Sequence, residues 1–142
     1  RVINMYATNI NYFPNWVYSL PDLEVLHYDN EPNRHCDSTT TRFDLSSLNY
    51  YDFSLPSFEE CINLEYLDLS GNHLEELPLS VFRLSKLTTL RLGSNRLQYL
   101  PTEIEALSEL TVLELPYNQL QELPVEIGGL LNLLSLHVSG NS

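Results

Sequence analysis

The sequence predicts an α/β fold, a right-handed solenoid with a curved parallel sheet inside and short helical or 3₁₀ turns outside. Three observations lead there. Asn72, Asn95, Asn118 and Asn141 recur every 23 residues. Leucines recur in phase with them, as in Leu64, Leu67, Leu69 and Leu74, then Leu87, Leu90, Leu92 and Leu97, then Leu110, Leu113, Leu115 and Leu120. A Leu-Pro step follows at the same interval, at Leu77-Pro78, Leu100-Pro101 and Leu123-Pro124. A fixed period in the twenties that keeps its apolar positions in phase marks stacked coils rather than a globule around one centre.

Each part of a cycle has a physical reason. In L-x-L the alternate residues of a short strand point to opposite faces, so the leucines go inward and the residue between them outward. One strand cannot bury its leucines alone, but a second coil stacked beneath it can. The asparagine stands where the chain leaves the strand, where its amide can pair with backbone groups otherwise left unsatisfied. Proline then sets an extended entry into the next turn. Val81, Leu84 and Leu87 follow at a spacing of three, which suits a short 3₁₀ or helical turn on the outer side.

Taken in order, residues 1–31 fit the same template with a damaged consensus. Ile3 and Met5 take the strand positions, Thr8 the asparagine slot, Phe13-Pro14 the Leu-Pro step, and Val17, Leu20 and Leu23 the outer turn. Leu26 and Tyr28 form the next strand, with Glu31 in the next asparagine slot. Terminal coils are expected to be atypical because one side faces water. Residues 32–42 hold polar turn formers and no leucine, and are expected to form an irregular, protruding loop. Residues 43–63 form an aberrant coil. Phe43 and Leu45 follow the previous strand by only 17 residues, and Leu67 follows Phe43 by 24, so one residue is inserted and Leu48 or Asn49 serves at the turn. Tyr50, Tyr51 and Phe53 replace leucines there. Residues 64–142 are regular, and the last cycle, Leu133, Leu136, Val138 and Asn141, ends without a polar cap. The natural chain is expected to continue beyond it.

The pattern L-x-x-L-x-L-x-x-N-x-L resembles leucine-rich repeats, and the L-P-x-x-I/V-x-x-L half that follows is similar to the 23-residue subclass of Scribble and Erbin, plant Ras-group proteins and many bacterial proteins. The resemblance implies protein recognition through the concave sheet face. The alternative it implies is the substrate-recognition arm of a larger signalling enzyme or bacterial effector, such as a ubiquitin ligase, a kinase or a Roco-type GTPase.

Composition narrows the classes further. The 142 residues suit one domain, and 43% hydrophobic content excludes a disordered chain. No run of about 18 uninterrupted apolar residues is present, so no membrane insertion is expected. Nineteen acidic against seven basic residues give a net charge of -12, which disfavours nucleic acid and fits a basic protein partner. Solubility alone also explains that charge. The uncapped final coil offers a second copy a surface for self-association. Cys61 occupies the place of Leu84, Leu107 and Leu130, and reads as a small buried apolar residue. Cys36 sits in the irregular loop, open to exposure, and whether its thiol is free is left undecided. The chain lacks the multi-cysteine cap of extracellular relatives and any N-x-S/T sequon. Both absences favour a reducing compartment, or a bacterial source, over a eukaryotic extracellular one, so a cytoplasmic location is expected, with the bacterial surface or secretion as the alternative.

The outward strand positions make three columns with neighbours about 4.8 Å apart. The central one is Asn4, His27, Asp44, Asp68, Arg91, Glu114 and His137. Tyr66, Thr89 and Val112 belong to one flanking column, and Ser70, Gly93 and Pro116 to the other, with Tyr117 at the rim. The expected partner-binding residues are Tyr66, Asp68, Arg91, Glu114, Tyr117 and His137. Arg91 between two carboxylates can serve a partner, or the trio can simply satisfy itself for about 0.2–1 kcal/mol per exposed pair, the favoured reading for the trio alone. His27, His35, His73, His137 and Cys36 fall on different coils without ligand spacing, so no metal is expected. No phosphate-binding glycine loop, G-x-S-x-G or H-E-x-x-H occurs, so neither a cofactor nor an enzyme activity is expected here.

Overall fold

The computed structural model describes residues 36–51 and 55–142 in full, together with the backbone of two strands, β1 (Val2–Tyr6) and β2 (Val25–Asp29). Two compact units result, Arg1–His35 and Cys36–Ser142. In the first, β1 and β2 pair in parallel with Ile3 opposite Leu26 and Asn4 opposite His27, a register of one 23-residue step. Thr8, Phe13-Pro14, Val17, Leu20, Leu23, Glu31, residues 32–35 and Phe53 lie outside the described residues.

The second unit holds a five-stranded parallel sheet in sequential order: β3 (Arg42–Asp44), β4 (Tyr66–Asp68), β5 (Thr89–Arg91), β6 (Val112–Glu114) and β7 (Ser135–His137). Arg42, which the sequence offers both as the last residue of the loop and as the neighbour of Tyr66 in the flanking column, belongs to β3. Phe43, Leu67, Leu90, Leu113 and Leu136 stand opposite one another along the ladder. The inward leucines of the middle coils, among them Leu67, Leu69, Leu90, Leu92, Leu113 and Leu115, are fully buried. Behind the sheet run three 3₁₀ turns, Leu79–Arg83, Thr102–Ala106 and Val125–Gly129. Each is entered from an extended proline, Pro78, Pro101 or Pro124, at φ near -65° to -71°. The three-residue spacing thus resolves into 3₁₀ geometry, closed by Leu84, Leu107 and Leu130 N–H groups donating to Val81, Ile104 and Ile127 carbonyls.

The asparagines form a ladder through the stack. Asn95 Nδ2 donates to Leu69 O and Leu92 O at 2.9 and 3.0 Å, and its Oδ1 accepts from Leu74 N at 3.1 Å. Asn118 and Asn141 repeat this set one and two coils on. Asn72 differs because the coil before it is irregular. Its Oδ1 accepts from both Leu48 N and Tyr50 N, at 3.1 and 3.0 Å, while its Nδ2 reaches Leu45 O and Leu69 O. Each amide joins its own coil to the preceding one, and no water is needed to satisfy the interior. A second, shallower ladder runs ahead of the strands, where Thr88 Oγ1 donates to Glu65 O and Thr111 Oγ1 to Thr88 O.

The inserted residue of the aberrant coil can now be placed. Tyr50 corresponds to Leu74, 24 residues on, whereas Phe58 corresponds to Val81, 23 on, so the extra residue falls between Tyr50 and Phe58. Phe58 is fully buried and packs edge-on against Phe43, the two rings taking the places of Leu67 and Val81 in the next coil.

The cysteine expectation needs correction. Cys61 is buried in the Leu84 position, as expected, but Cys36 is buried with it and the two are joined by a disulfide, with Cα atoms 5.3 Å apart. The polar letters after Cys36 make a tight turn, not a free loop. The Asp37 carboxylate accepts from Thr39 N, Thr39 Oγ1 and Thr40 Oγ1, and Asn63 Nδ2 holds Ser38 O at 2.7 Å. This turn folds Cys36 inward beneath β3, and the cysteines no longer support a reducing compartment.

Candidate recognition surface

Alternation along the strands places Asp44, Asp68, Arg91, Glu114 and His137 side by side on the solvent face of the sheet, in the register the sequence implies. Asn4 and His27 stand opposite each other in the separate two-stranded sheet. In this arrangement the flanking column is Arg42, Tyr66, Thr89, Val112 and Ser135.

The centre of the face is a connected set of side chains. The Arg42 guanidinium stacks over the Tyr66 ring at 3.5 Å from its centroid, and Arg91 approaches the same ring at 5.7 Å. The Tyr66 hydroxyl donates to Asp68 Oδ2 at 3.0 Å, while Ser70 N and Ser70 Oγ donate to Asp68 Oδ1. Asp68 is therefore only 6% exposed. It is oriented outward, yet Tyr66 and Ser70 cover it, so the surface it leaves in solvent is small. Burial and the hydrogen bond to Asp68 both raise the Tyr66 pKa, because the phenolate would be desolvated beside a carboxylate.

Arg91 bridges its neighbours, with Nη1 3.9 Å from Asp68 Oδ2 and Nε 3.2 Å from Glu114 Oε2. The Nε–H is close enough for an ion pair but points off the hydrogen-bond line, and it has no hydrogen-bond partner. Glu114 Oε1 is in turn 3.9 Å from His137 Nδ1, and His137 is mostly exposed. Arg91 thus stands between two carboxylates, which together outweigh its single charge, and it keeps 43% of its side chain in solvent.

At the rim, Tyr117 is 67% exposed and adopts φ 56°, a conformation a bulky side chain rarely takes. The position imposes that φ in each coil, at 68° for Gly71, 56° for Ser94 and 71° for Gly140, and Gly140, one coil on, leaves room for the ring: a Cβ there would lie 2.6 Å from Tyr117 Cδ1. Elsewhere, His73 stacks against Tyr51 at 5.0 Å, and Cys36 is spent in the disulfide. Neither joins a cluster with His137.

Asp44 anchors the other end of the column. Hydrogen bonds from Ser46 Oγ and Ser46 N hold its carboxyl below the usual 3.8 against the opposing effect of burial, with lesser help from the charges of Arg42 and Arg91. A folded-state pKa below the unfolded one means that the stabilisation is complete above the unfolded value and lost as pH falls through the folded one. Asp44→Asn is thus expected to lower the melting temperature slightly near pH 7, where the stabilisation is complete, and to flatten the acid limb of the profile below about pH 4. An unchanged acid limb would remove Asp44 from the network.

With this geometry the family follows. The chain belongs to the leucine-rich-repeat proteins: the leucine rich repeat model matches residues 62–120 and 85–142, together more than half of its length. Among solved structures it is similar to the plant peptide hormone receptor RGFR1 in complex with RGF2, with 42% identity over 72% of this chain and 17% of that one and a TM-score of 0.63. It is also similar to a leucine-rich-repeat protein of Leptospira interrogans, with 37% identity over 62% of this chain and 23% of that one and a TM-score of 0.60. A third likeness is to the BIR3–SERK2 complex from Arabidopsis thaliana, with 32% identity, 70% and 55% coverage, and a TM-score of 0.61. The chain spans less than a quarter of the length of the first two. No curated protein matches it.

Proposed function

We propose that this leucine-rich-repeat region recognises a protein or extended peptide through the solvent face of the β3–β7 sheet, the concave side in this fold. The observation that carries the reading is the set around Tyr66. Two guanidinium groups hold the ring, a buried aspartate holds its hydroxyl, and Arg91 keeps 43% of its side chain in solvent. A partner carbonyl or carboxylate that reaches the exposed part of the Arg91 guanidinium meets side chains already held by their neighbours, so little entropy is lost on docking. Tyr66, Arg91, Glu114 and His137 make the contacts, Tyr117 closes the rim, and Asp68 positions the centre. The solved relatives support the assignment, since one is a peptide hormone receptor in complex with RGF2 and another a complex of BIR3 with SERK2. The disulfide favours an oxidising compartment in place of the cytoplasm. Among the described residues no helix is long and apolar enough to cross a membrane.

A catalytic domain elsewhere in a longer parent would leave these residues the same role, as the arm that chooses the substrate. The relatives that exceed this chain several-fold in length keep that second reading in view.

The test is the triple variant Tyr66→Ala, Arg91→Ala, Glu114→Ala, compared with the unaltered chain in pull-downs from the native extract. A partner recovered by the unaltered chain is expected to be lost with the triple variant. The melting temperature is expected to fall by only a few degrees, since Asp68 keeps both Ser70 bonds and exposed pairs are worth about 0.2–1 kcal/mol each. Retention of the partner, or loss of folding, would assign the cluster to structure.

A further inference from the structure

A second surface lies on the flank of the stack, where each coil runs from its asparagine to its proline. Leu77, Pro78 and Leu79 of one coil and Tyr99 and Pro101 of the next, with Glu76, line a cleft of 370 Å³. The Tyr99 hydroxyl donates to Glu76 Oε2 at 3.2 Å, which turns the ring along the cleft. Tyr99 is 52% exposed and Leu79 59%, although the core beneath is already closed by Leu77 and Leu100. Neither large side chain is needed to seal the coil, and together with the prolines they leave apolar surface in water.

Negative charge predominates in the later coils. Lys and Arg are absent after Arg96, while Glu103, Glu105, Glu109, Glu114, Glu122 and Glu126 all follow it. Only Glu114 of these six lies on the sheet face. The solvent face of the sheet, by contrast, sets Arg42 and Arg91 against Asp44, Asp68 and Glu114 and is close to neutral. In the repeat register Tyr99 falls between Glu76 and Glu122. Arg83 and Lys86 lie at and beyond the far end of the Leu79–Arg83 turn, so the negative charge nearest Tyr99 is that of Glu76 and, one coil on, Glu122, and a second copy with the same net charge of -12 is repelled from it.

We propose that the Tyr99 cleft docks an extended basic segment of a partner protein. One apolar side chain of the segment sits between Pro78 and Pro101, and its flanking lysines or arginines meet Glu76, Glu122 and the face of the Tyr99 ring. This surface is separate from the one around Tyr66, and the two can fail independently.

The probe is a fluorescein-labelled nonapeptide of lysine and arginine with one central leucine, beside the same peptide with serine at the centre. Binding is read by anisotropy at low and at physiological salt. The leucine peptide is expected to bind roughly tenfold more tightly than the serine peptide, the scale of burying one aliphatic side chain in part. Tyr99→Ala is expected to remove that difference. Glu76→Gln with Glu122→Gln is expected to weaken both peptides and flatten their salt dependence. Tyr99→Phe, which keeps the ring, retains the leucine preference and controls for folding alongside the melting curve. Equal binding of the two peptides, or no response to Tyr99→Ala, overturns the cleft and leaves only a diffuse acidic surface. Loss of the leucine preference in the Tyr66/Arg91/Glu114 triple variant but not in Tyr99→Ala also overturns it, and moves the peptide to the concave face.

Discussion

Asn95→Ala is expected to destabilise the fold by about 2–6 kcal/mol: the buried Leu74 N–H loses its acceptor at about 1–3 kcal/mol, and Leu69 O and Leu92 O each lose one of two donors, keeping Asn72 and Asn118, at about 0.5–1.5 kcal/mol each. Total stabilities of domains are about 5–15 kcal/mol, so the variant is expected to lose a large part of its stability. Asn95 is nearly fully buried, in the middle of the sheet, where water cannot take over. Asn141 makes the same set of bonds in the last coil, but its bond to Val138 O is exposed. Asn141→Ala is therefore expected to cost about 1 kcal/mol, the ordinary net value of a replaceable hydrogen bond. Urea unfolding of the two variants decides the matter. Equal losses would mean that the ladder is not what holds the coils together.

Opening the Cys36–Cys61 bond is the second large effect. The bond closes 25 residues, for which chain-entropy arguments give about 3 kcal/mol and, at this chain length, a fall in melting temperature of about 10 °C. The closed segment contains β3 and the irregular coil, which lacks the regular Leu-Pro turn and is the least able to hold itself. Arg42 lies in it as well, so reduction is expected to loosen the Arg42–Tyr66 stack and weaken partner binding before the later coils unfold. Melting curves with and without dithiothreitol, paired with a thiol count, provide the measurement. An unchanged curve in the presence of two titratable thiols would show that packing of Phe43 and Phe58 suffices at this end.

The regular part of the fold was legible because each consensus letter answers to a force acting within one or two coils. Leucines at L-x-L report the two faces of a strand, Leu-Pro reports the entry into the 3₁₀ turn, and asparagine reports the backbone groups it satisfies. The same periodicity placed Asp68, Arg91, Glu114 and His137 in one row. What escaped was the irregular end. Phe58 stands in the Val81 position, but the step before it, Leu55-Pro56-Ser57-Phe58, is one residue short of L-P-x-x-I, and that Leu-Pro was the one available signal. The pairing of Cys36 with Cys61 left no signal in spacing, since it depends on how the Asp37–Thr40 turn folds back.

By itself the sequence determined the coil, its length and which residues face outward, because backbone pairing and leucine burial repeat with the same period as the letters. Only the tertiary structure decided which outward residues are available. Tyr66 reaches over Asp68 and covers it, Gly140 makes room for Tyr117, and Tyr99 lies along a cleft that two successive coils create together. Direction from the backbone is a local property, whereas exposure depends on the reach of side chains on neighbouring coils, which no single repeat encodes.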